Sequence, residues 1–187
     1  QEGEIILFTG ASGSGKTTLL NLFNGMIPYF FQGILTGQVF YKEKIITEMP
    51  KTVGTVFQDP NRQLVYKSVL KELVFGLENL GLSPQEMKRR IGELVSFLGI
   101  ENLLDKQTDQ LSGGEKQLIS IASVLATRPE VLILDEPTAQ LDPASAEKVF
   151  NLVQKINKDL GVTILISEQR IDKCYDFADQ IVYLERG

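Results

Sequence analysis

The segment Gly10-Ala-Ser-Gly-Ser-Gly-Lys-Thr17 follows the apolar residues 5–8 and precedes Leu19-Leu20, an order that predicts a strand, a loop and a helix. Its glycines permit backbone conformations that a Cβ would forbid, so that successive N–H groups converge on an anion. Lys16 adds a charge for β- and γ-phosphates, Thr17 adds a hydroxyl for Mg²⁺, and the helix points its positive N-terminus at the same phosphates. A glycine-rich loop can also be a simple tight turn, but its place between strand and helix favours phosphate binding. The candidate phosphate-binding residues are Gly10, Ala11, Ser12, Gly13, Ser14, Gly15, Lys16, Thr17 and Thr18.

Composition is typical of a single globular domain. The chain has 187 residues, of which 43% are hydrophobic, enough for a sizeable core. Its 19 Lys and Arg residues are outnumbered by 24 Asp and Glu residues, and the net charge of -5 argues against nucleic acid as a partner. No apolar run approaches the length needed to cross a bilayer, so any role at a membrane is expected to come through a partner protein.

Strand and helix patterns alternate along the chain, which predicts an α/β fold. Residues 131–134 form an uninterrupted apolar run that ends in Asp135-Glu136, a pattern typical of a strand buried on both faces of a parallel sheet. The polar end of this strand is therefore expected to face the ligand crevice. Further strands are predicted at 53–57, where Pro60 stops any regular element, and at 162–167, with short antiparallel strands within 27–53.

Two helices have clear start signals. Ser83-Pro-Gln-Glu86 predicts a capping box with proline at the first helical position. Asp142-Pro143 predicts the start of another helix, which Gly161 ends. The apolar stripe of that second helix is predicted to comprise Val149, Leu152, Val153, Ile156 and Leu160.

A second glycine motif, Leu111-Ser-Gly-Gly-Glu-Lys-Gln117, also predicts an anion site. Ser112 and Glu115 have the spacing of a capping box, and the two glycines expose backbone amides where a helix begins. An ordinary capped helix would explain the serine and the glutamate. It would leave the paired glycines without a reason.

These motifs resemble those of the ATP-binding cassette (ABC) ATPases, over nearly the whole chain. The glycine-rich loop resembles Walker A, and residues 111–117 resemble the family signature. The other three motifs are similar to the Q-loop (Val56-Phe-Gln58), Walker B (131–136) and the D-loop (Ala139-Gln-Leu-Asp142). The resemblance implies a P-loop NTPase fold with a mainly parallel core sheet, a helical subdomain that carries the signature and a truncated antiparallel β part.

Several shorter segments of the sequence resemble those of the energy-coupling factor branch, whose ATPases drive prokaryotic vitamin and transition-metal uptake. The similar segments include Asn24-Gly-Met-Ile-Pro28, 56–64 and Phe75-Gly-Leu-Glu-Asn79. The chain is then one ATP-binding domain, residues 1–187, expected to be trimmed at both ends. Its ATPase core is expected at about 1–65 and 128–187, and its helical subdomain at about 66–127.

The resemblance implies ATP and Mg²⁺ as ligands and assigns roles around the γ-phosphate. Thr17, Gln58 and Asp135 are expected to hold Mg²⁺ or its waters, and Gln58 also to sense the membrane partner. Glu136 is the candidate general base for the attacking water. The alternative for Glu136 is a second acidic residue that merely surrounds the metal.

The resemblance also implies a head-to-tail pair with a homologous subunit, either identical or different. Each nucleotide is then sandwiched between the P-loop of one subunit and the signature of the other, with Asp142 crossing the interface. The signature residues expected to contact nucleotide are Ser112, Gly113, Gly114 and Gln117. Transmembrane transporter subunits are the expected further partners, at the cytoplasmic face of the membrane.

The chain departs from the family at the switch position, where a histidine is expected. The sequence contains no histidine, and alignment on Phe177-Ala-Asp179 puts Gln169 there. A carboxamide can hydrogen-bond a phosphate, but it cannot carry the proton or the charge that imidazole can. Turnover is therefore expected to be weakened. The aromatic residue that stacks on adenine in the family has no counterpart in this sequence.

Two other functions fit the same motifs. A nonmembrane ABC ATPase of the DNA-repair or ribosome-associated kind shares every core motif, although no long coiled coil or charged linker is present. A regulatory module that binds nucleotide without useful turnover is suggested by Gln169, whereas Glu136 speaks against it. A simple P-loop kinase or GTPase does not need residues 111–117.

Overall fold

The computed structural model describes residues 2–32, 34–45, 50–169 and 171–185. Its strands are β1 (Ile5–Thr9), β2 (Phe40–Tyr41), β3 (Lys44–Ile45), β4 (Val53–Val56), β5 (Val131–Asp135), β6 (Thr163–Ser167) and β7 (Gln180–Tyr183). Five of them form a parallel sheet in the order β4-β5-β6-β1-β7, and β2 and β3 form a separate antiparallel hairpin. The predicted α/β fold with a mainly parallel sheet is confirmed. Within the predicted antiparallel region 27–53, residues 33 and 46–49 lie outside the described residues.

The helices are α1 (Lys16–Phe23), α2 (Met26–Tyr29), α3 (Pro60–Gln63), α4 (Val69–Asn79), α5 (Pro84–Leu98), α6 (Gly113–Ala126) and α7 (Pro143–Leu160). Short 3-10 turns lie at Glu101–Leu103, Thr108–Gln110 and Ile171–Lys173. Helices α4, α5 and α6 pack on one another, and α6 also contacts β4 and α7. In the part of the chain that the structure describes, every helix is too short or too polar to span a membrane.

The two faces of the sheet are covered by different helices. Leu134 belongs to the larger core, which the sheet shares with α4, α5, α6 and α7. Phe8 and Ile133 instead pack with Leu20 of α1 on the other face. Because side chains alternate along a strand, Asp135 falls on the same face as Ile133. The sheet therefore brings the end of β5 next to the start of α1.

Two predictions about where regular elements stop and start need correction. Pro60 stops β4 but is also the first residue of α3, a position where its fixed φ suits a helix and its missing N–H is not needed. Ser83 Oγ accepts a hydrogen bond from Glu86 N at 3.3 Å, as predicted. The Glu86 carboxylate, however, binds Arg89 and Arg90, so only the serine half of the capping box forms.

Helix α7 begins and ends where the sequence predicts. Asp142 Oδ1 accepts hydrogen bonds from the N–H groups of Ala144 and Ser145, both at 3.0 Å, and Gly161 ends the helix with a φ of 67°. One member of the predicted apolar stripe differs, because Leu160 is the last helical residue and is 49% exposed.

Candidate functional site

The glycine-rich loop leads from β1 directly into the first turn of α1. Gly10 has a φ of 145°, and a Cβ at this position would collide with the carbonyl oxygen of Leu184, so both conformation and space require glycine. Gly15 precedes α1 with a φ of 96°, in the left-handed region. The first N–H groups of α1 have no partner within the helix and are available to a ligand. Exposed residues around this helix end are Ala11, Ser12, Gly13, Thr17 and Thr18.

The loop encloses a cation and an unpaired hydroxyl. Lys16 is only 5% exposed, and its Nζ donates to the carbonyl oxygens of Gly10 and Ala11 at 2.9 and 3.1 Å. The Ser14 hydroxyl is buried and has no hydrogen-bond partner among the described residues. A buried donor without an acceptor, next to a helix N-terminus and a lysine of the same loop, fits an anionic ligand such as phosphate.

A hydroxyl and a carboxylate meet where α1 starts and β5 ends. Thr17 Oγ1 donates to Asp135 Oδ2 at 2.8 Å, and Ser167 Oγ at the end of β6 donates to Asp135 Oδ1 at 2.6 Å. Mg²⁺ prefers hard oxygen ligands and is commonly held by one or two protein groups together with substrate phosphates. Thr17 and Asp135 therefore fit a magnesium site and would hold the ion, which would supply positive charge beside the phosphates.

Glu136 follows β5 directly, and its carboxylate lies between two side-chain amides. Gln58 Nε2 donates to Oε2 at 2.8 Å, and Gln169 Nε2 donates to Oε1 at 2.7 Å. Lys16 Nζ is 3.8 Å from Oε1. The Glu136 side chain remains 14% exposed, so water can reach a carboxylate that stands close to the cation of the phosphate loop. A group in this position can accept a proton from a water molecule.

The second glycine motif forms the N-terminus of α6. Ser112 Oγ accepts from Glu115 N at 3.3 Å, and Glu115 Oε2 accepts from Ser112 N at 2.8 Å, which completes the predicted capping box. The Ser112 N–H, aided by the ammonium of Lys106 at 2.9 Å, lowers the pKa of Glu115 to about 2. Glu115 is therefore ionised at neutral pH, and its charge stabilises the positive end of α6.

Gly114 allows the first turn of α6 to approach the first turn of α7. A Cβ at Gly114 would lie 3.0 Å from Ser145 Oγ and 3.1 Å from Ser145 Cβ. A Cβ at Gly113 would lie 3.7 Å from Leu141, in the segment just before α7. Gly114 thus has a structural reason, which is the close packing of two helix N-termini, whereas the space at Gly113 would admit a Cβ.

The sequence-predicted residues fall into two groups. Ser112 and Gly113 are exposed, whereas Gln117 is only 1% exposed and lines a cavity of about 90 Å³ together with Gln58 and Gln140. Its Nε2 has no hydrogen-bond partner in the described part of the chain. Asp142 acts as the cap of α7. The other group is one connected cluster: Lys16, Thr17, Gln58, Asp135, Glu136 and Gln169.

Two residues that support the cluster were missed by the motif analysis. Ser167 bonds to Asp135 and also accepts from Glu136 N at 2.9 Å. Glu168 is 2% exposed and accepts from both N and Oγ1 of Thr138. Burial raises the pKa of Glu168, and the hydrogen bonds from Thr138 oppose that rise. Their place in the sequence could have identified them, because polar residues at the carboxyl end of a buried parallel strand face the ligand crevice.

Comparison with known proteins identifies extensive similarity. A family model described as ABC transporter matches residues 1–139. The chain is 44% identical over 193 residues to a protein of Bacillus thuringiensis subsp. konkukian (strain 97-27) described as an ABC transporter ATP-binding protein. That alignment covers 100% of this chain and 34% of the relative, so the chain spans about a third of the relative's length.

Solved structures give the same result for the fold. CbiO1 from Clostridium perfringens, part of the ABC transporter complex CbiONQ, superposes with a TM-score of 0.91 at 36% identity, covering 100% of this chain and 75% of that chain. MJ0796, described as a bacterial ABC transporter cassette in a dimeric structure, gives a TM-score of 0.81 at 28% identity, covering 100% of this chain and 83% of that chain.

Proposed function

The chain belongs to the ABC transporter family, and from this premise we propose that it binds and hydrolyses ATP to drive an importer of the energy-coupling factor type. Its α/β fold is that of the P-loop NTPases. The proposed cargo class is a vitamin or a transition-metal ion. The closeness of the fold to CbiO1, which is part of a CbiONQ complex, supports this branch.

The observation that carries the catalytic part of the proposal is the position of Glu136. Its carboxylate lies 3.8 Å from Lys16 Nζ, and Asp135, its neighbour in sequence, accepts from Thr17 at 2.8 Å. One candidate base, one cation and one pair of oxygen ligands therefore surround the place where the loop would hold phosphate. Phosphoryl transfer to water needs these parts and little other chemistry from the protein.

Each residue has a proposed task. Lys16 and the loop amides bind the phosphates, while Thr17, Asp135 and Gln58 hold the metal or its waters. Magnesium, when bound, offsets the negative charge of the phosphates. Glu136 orients the attacking water and accepts its proton, and the two amides that bind Glu136 keep the carboxylate turned toward the loop.

We propose that two such domains work as a head-to-tail pair. The exposed Ser112 and Gly113 of one subunit would then face the nucleotide held by the other, with Asp142 near the interface. The dimeric structure of MJ0796 supports the pairing of two such domains. Transmembrane transporter subunits would bind the pair at the cytoplasmic face of the membrane, and the nucleotide would act through its different affinities for the open and closed states.

Dimerisation is tested by light scattering on the full-length protein with magnesium and a slowly hydrolysed ATP analogue. When nucleotide is present, we expect the mass of a pair. When nucleotide is absent, we expect the mass of a single subunit. Replacement of magnesium by EDTA serves as the control and should return the mass to that of one subunit. Only single subunits under all conditions, even with a sister subunit added, would contradict the proposal.

Gln169→His is expected to raise steady-state ATP hydrolysis severalfold. Gln169 Nε2 now donates to Glu136 at 2.7 Å, and its amide carries no charge. An imidazole could hold a proton and a positive charge near the γ-phosphate. The measurement is phosphate release by the assembled complex, with Gln154→His on the exposed side of α7 as the control. An unchanged or lower rate would favour a module that binds nucleotide with little turnover.

A further inference from the structure

The end of β6 holds the turn that follows β5. Ser167 accepts two hydrogen bonds from Glu136 N, at 3.0 Å to its carbonyl oxygen and 2.9 Å to its hydroxyl. One residue further along, Glu168 Oε1 accepts from Thr138 N at 3.1 Å and from Thr138 Oγ1 at 2.5 Å. Two consecutive residues of one strand end thus bind both sides of the turn that carries the candidate base.

The turn needs such support because its conformation is unfavourable. Glu136 has a φ of 44°, in the left-handed region that residues other than glycine rarely adopt. Strained backbone of this kind persists only where the surroundings determine it strongly, and it is typical of active sites. The turn is closed by a hydrogen bond from Ala139 N to the carbonyl oxygen of Glu136 at 3.1 Å.

Glu168 is well placed to supply this support. Its side chain is 2% exposed and Thr138 is 0% exposed, so the contact lies inside the protein. A carboxylate oxygen is a strong acceptor for two donors of one residue. Glu168 also directly precedes Gln169, which binds the Glu136 carboxylate at 2.7 Å. Glu168 therefore constrains both the turn after β5 and the position of Gln169, the next residue in the chain.

We propose that Glu168 is a positioning residue for hydrolysis, which through Thr138 fixes the turn 136–139 and so the place of the Glu136 carboxylate. The proposal rests on the hydrolytic role given to Glu136 above. Glu168 does not touch the nucleotide in this scheme. It acts on the rate of the chemical step and leaves nucleotide binding to the loop of Lys16.

The kinetic test uses variants on both sides of the contact, assayed in the full-length protein. Glu168→Ala and Thr138→Val are each expected to lower kcat for ATP at least about tenfold, while KM changes less than about twofold. Thr138→Ser keeps the hydroxyl donor and should stay close to the wild-type rate. Glu168→Gln keeps an acceptor oxygen and should give an intermediate rate.

The double variant and a remote control make the result specific. Because the two residues act through one contact, Glu168→Ala combined with Thr138→Val should be no slower than the slower single variant. Thr127→Val removes a hydroxyl that bonds Val124 at the end of α6 and should leave kcat unchanged. Losses that multiply in the double variant, or a Thr138→Ser variant as slow as Thr138→Val, would overturn the proposal.

Crystal structures of the wild type and of Thr138→Val separate this proposal from the proposed function. In the variant we expect the Glu136 carboxylate to move by more than about 1 Å and to lose a bond to Gln58 or Gln169. A wild type without hydrolysis would refute the proposed function, but the displacement of Glu136 would still decide the positioning role. If Glu168→Ala fails to fold, Thr138→Val carries the test, and an unmoved Glu136 in that variant refutes the positioning role.

Discussion

Glu136→Gln should reduce ATP hydrolysis about 100- to 10,000-fold, the range that a general base contributes. The amide has nearly the same shape as the carboxylate, but it cannot accept a proton from water. Its single oxygen can still accept from one of Gln58 and Gln169, which now donate to the two carboxylate oxygens at 2.8 and 2.7 Å, and its NH2 can donate to the other once that side-chain amide turns its oxygen inward. Affinity for ATP and Mg²⁺ should therefore change little. Phosphate release and equilibrium binding of a fluorescent nucleotide measure the two quantities separately.

Glu147→Gln is the matched control for this experiment. It makes the same change of charge on the exposed side of α7 and should leave hydrolysis unaltered. A decrease below about tenfold in Glu136→Gln would place the base elsewhere. Equal background rates in wild type and variant would favour a nucleotide-binding module without turnover, the alternative that Gln169 suggests.

Lys16→Ala should lower the affinity for ATP about 100-fold, since a charged hydrogen-bond donor to an anion is lost. The lysine has two tasks that alanine cannot perform. It provides the positive charge for the phosphates, and its Nζ ties together the carbonyl oxygens of Gly10 and Ala11 at 2.9 and 3.1 Å. Titration calorimetry with ATP and Mg²⁺ measures the loss of affinity.

Lys148→Ala removes the same charge from an exposed position on α7 and should bind ATP as the wild type does. The melting temperature of both variants shows whether the loop alone has changed. If the Lys16→Ala variant binds ATP with unchanged affinity, the assignment of residues 10–18 as the phosphate-binding loop is contradicted.

The sequence predicts those parts of the site that depend on local pattern. The glycine-rich loop, the start of α6 at Gly113 and the buried strand that ends at Asp135 each follow from residues within one short segment. The capping box of Ser112 and Glu115 is formed in full for the same reason. Such features depend on neighbours along the chain, which the sequence displays directly.

Contacts between distant segments could not be predicted in this way. Ser167 bonds to Asp135 because β5 and β6 pair in a register that sets these two residues side by side. The half-formed cap at Ser83 has a local cause instead, since Glu86 meets Arg89 and Arg90 on the same helix, and their charge is a stronger attraction than a backbone N–H. In both cases several partners compete, and only the folded arrangement decides between them.

The strand order fixes the distance across the sheet between Asp135 and the phosphate loop. Strands β5, β6 and β1 are neighbours, and adjacent strands lie about 4.8 Å apart, so Asp135 and the first residue of the phosphate loop are separated by roughly 10 Å across the sheet. Main-chain hydrogen bonds set this width, independently of which apolar side chains fill the interior. Substitutions among the valines, leucines and isoleucines beneath the site can therefore alter the stability of the protein, while the distance between Asp135 and the phosphate loop stays constant.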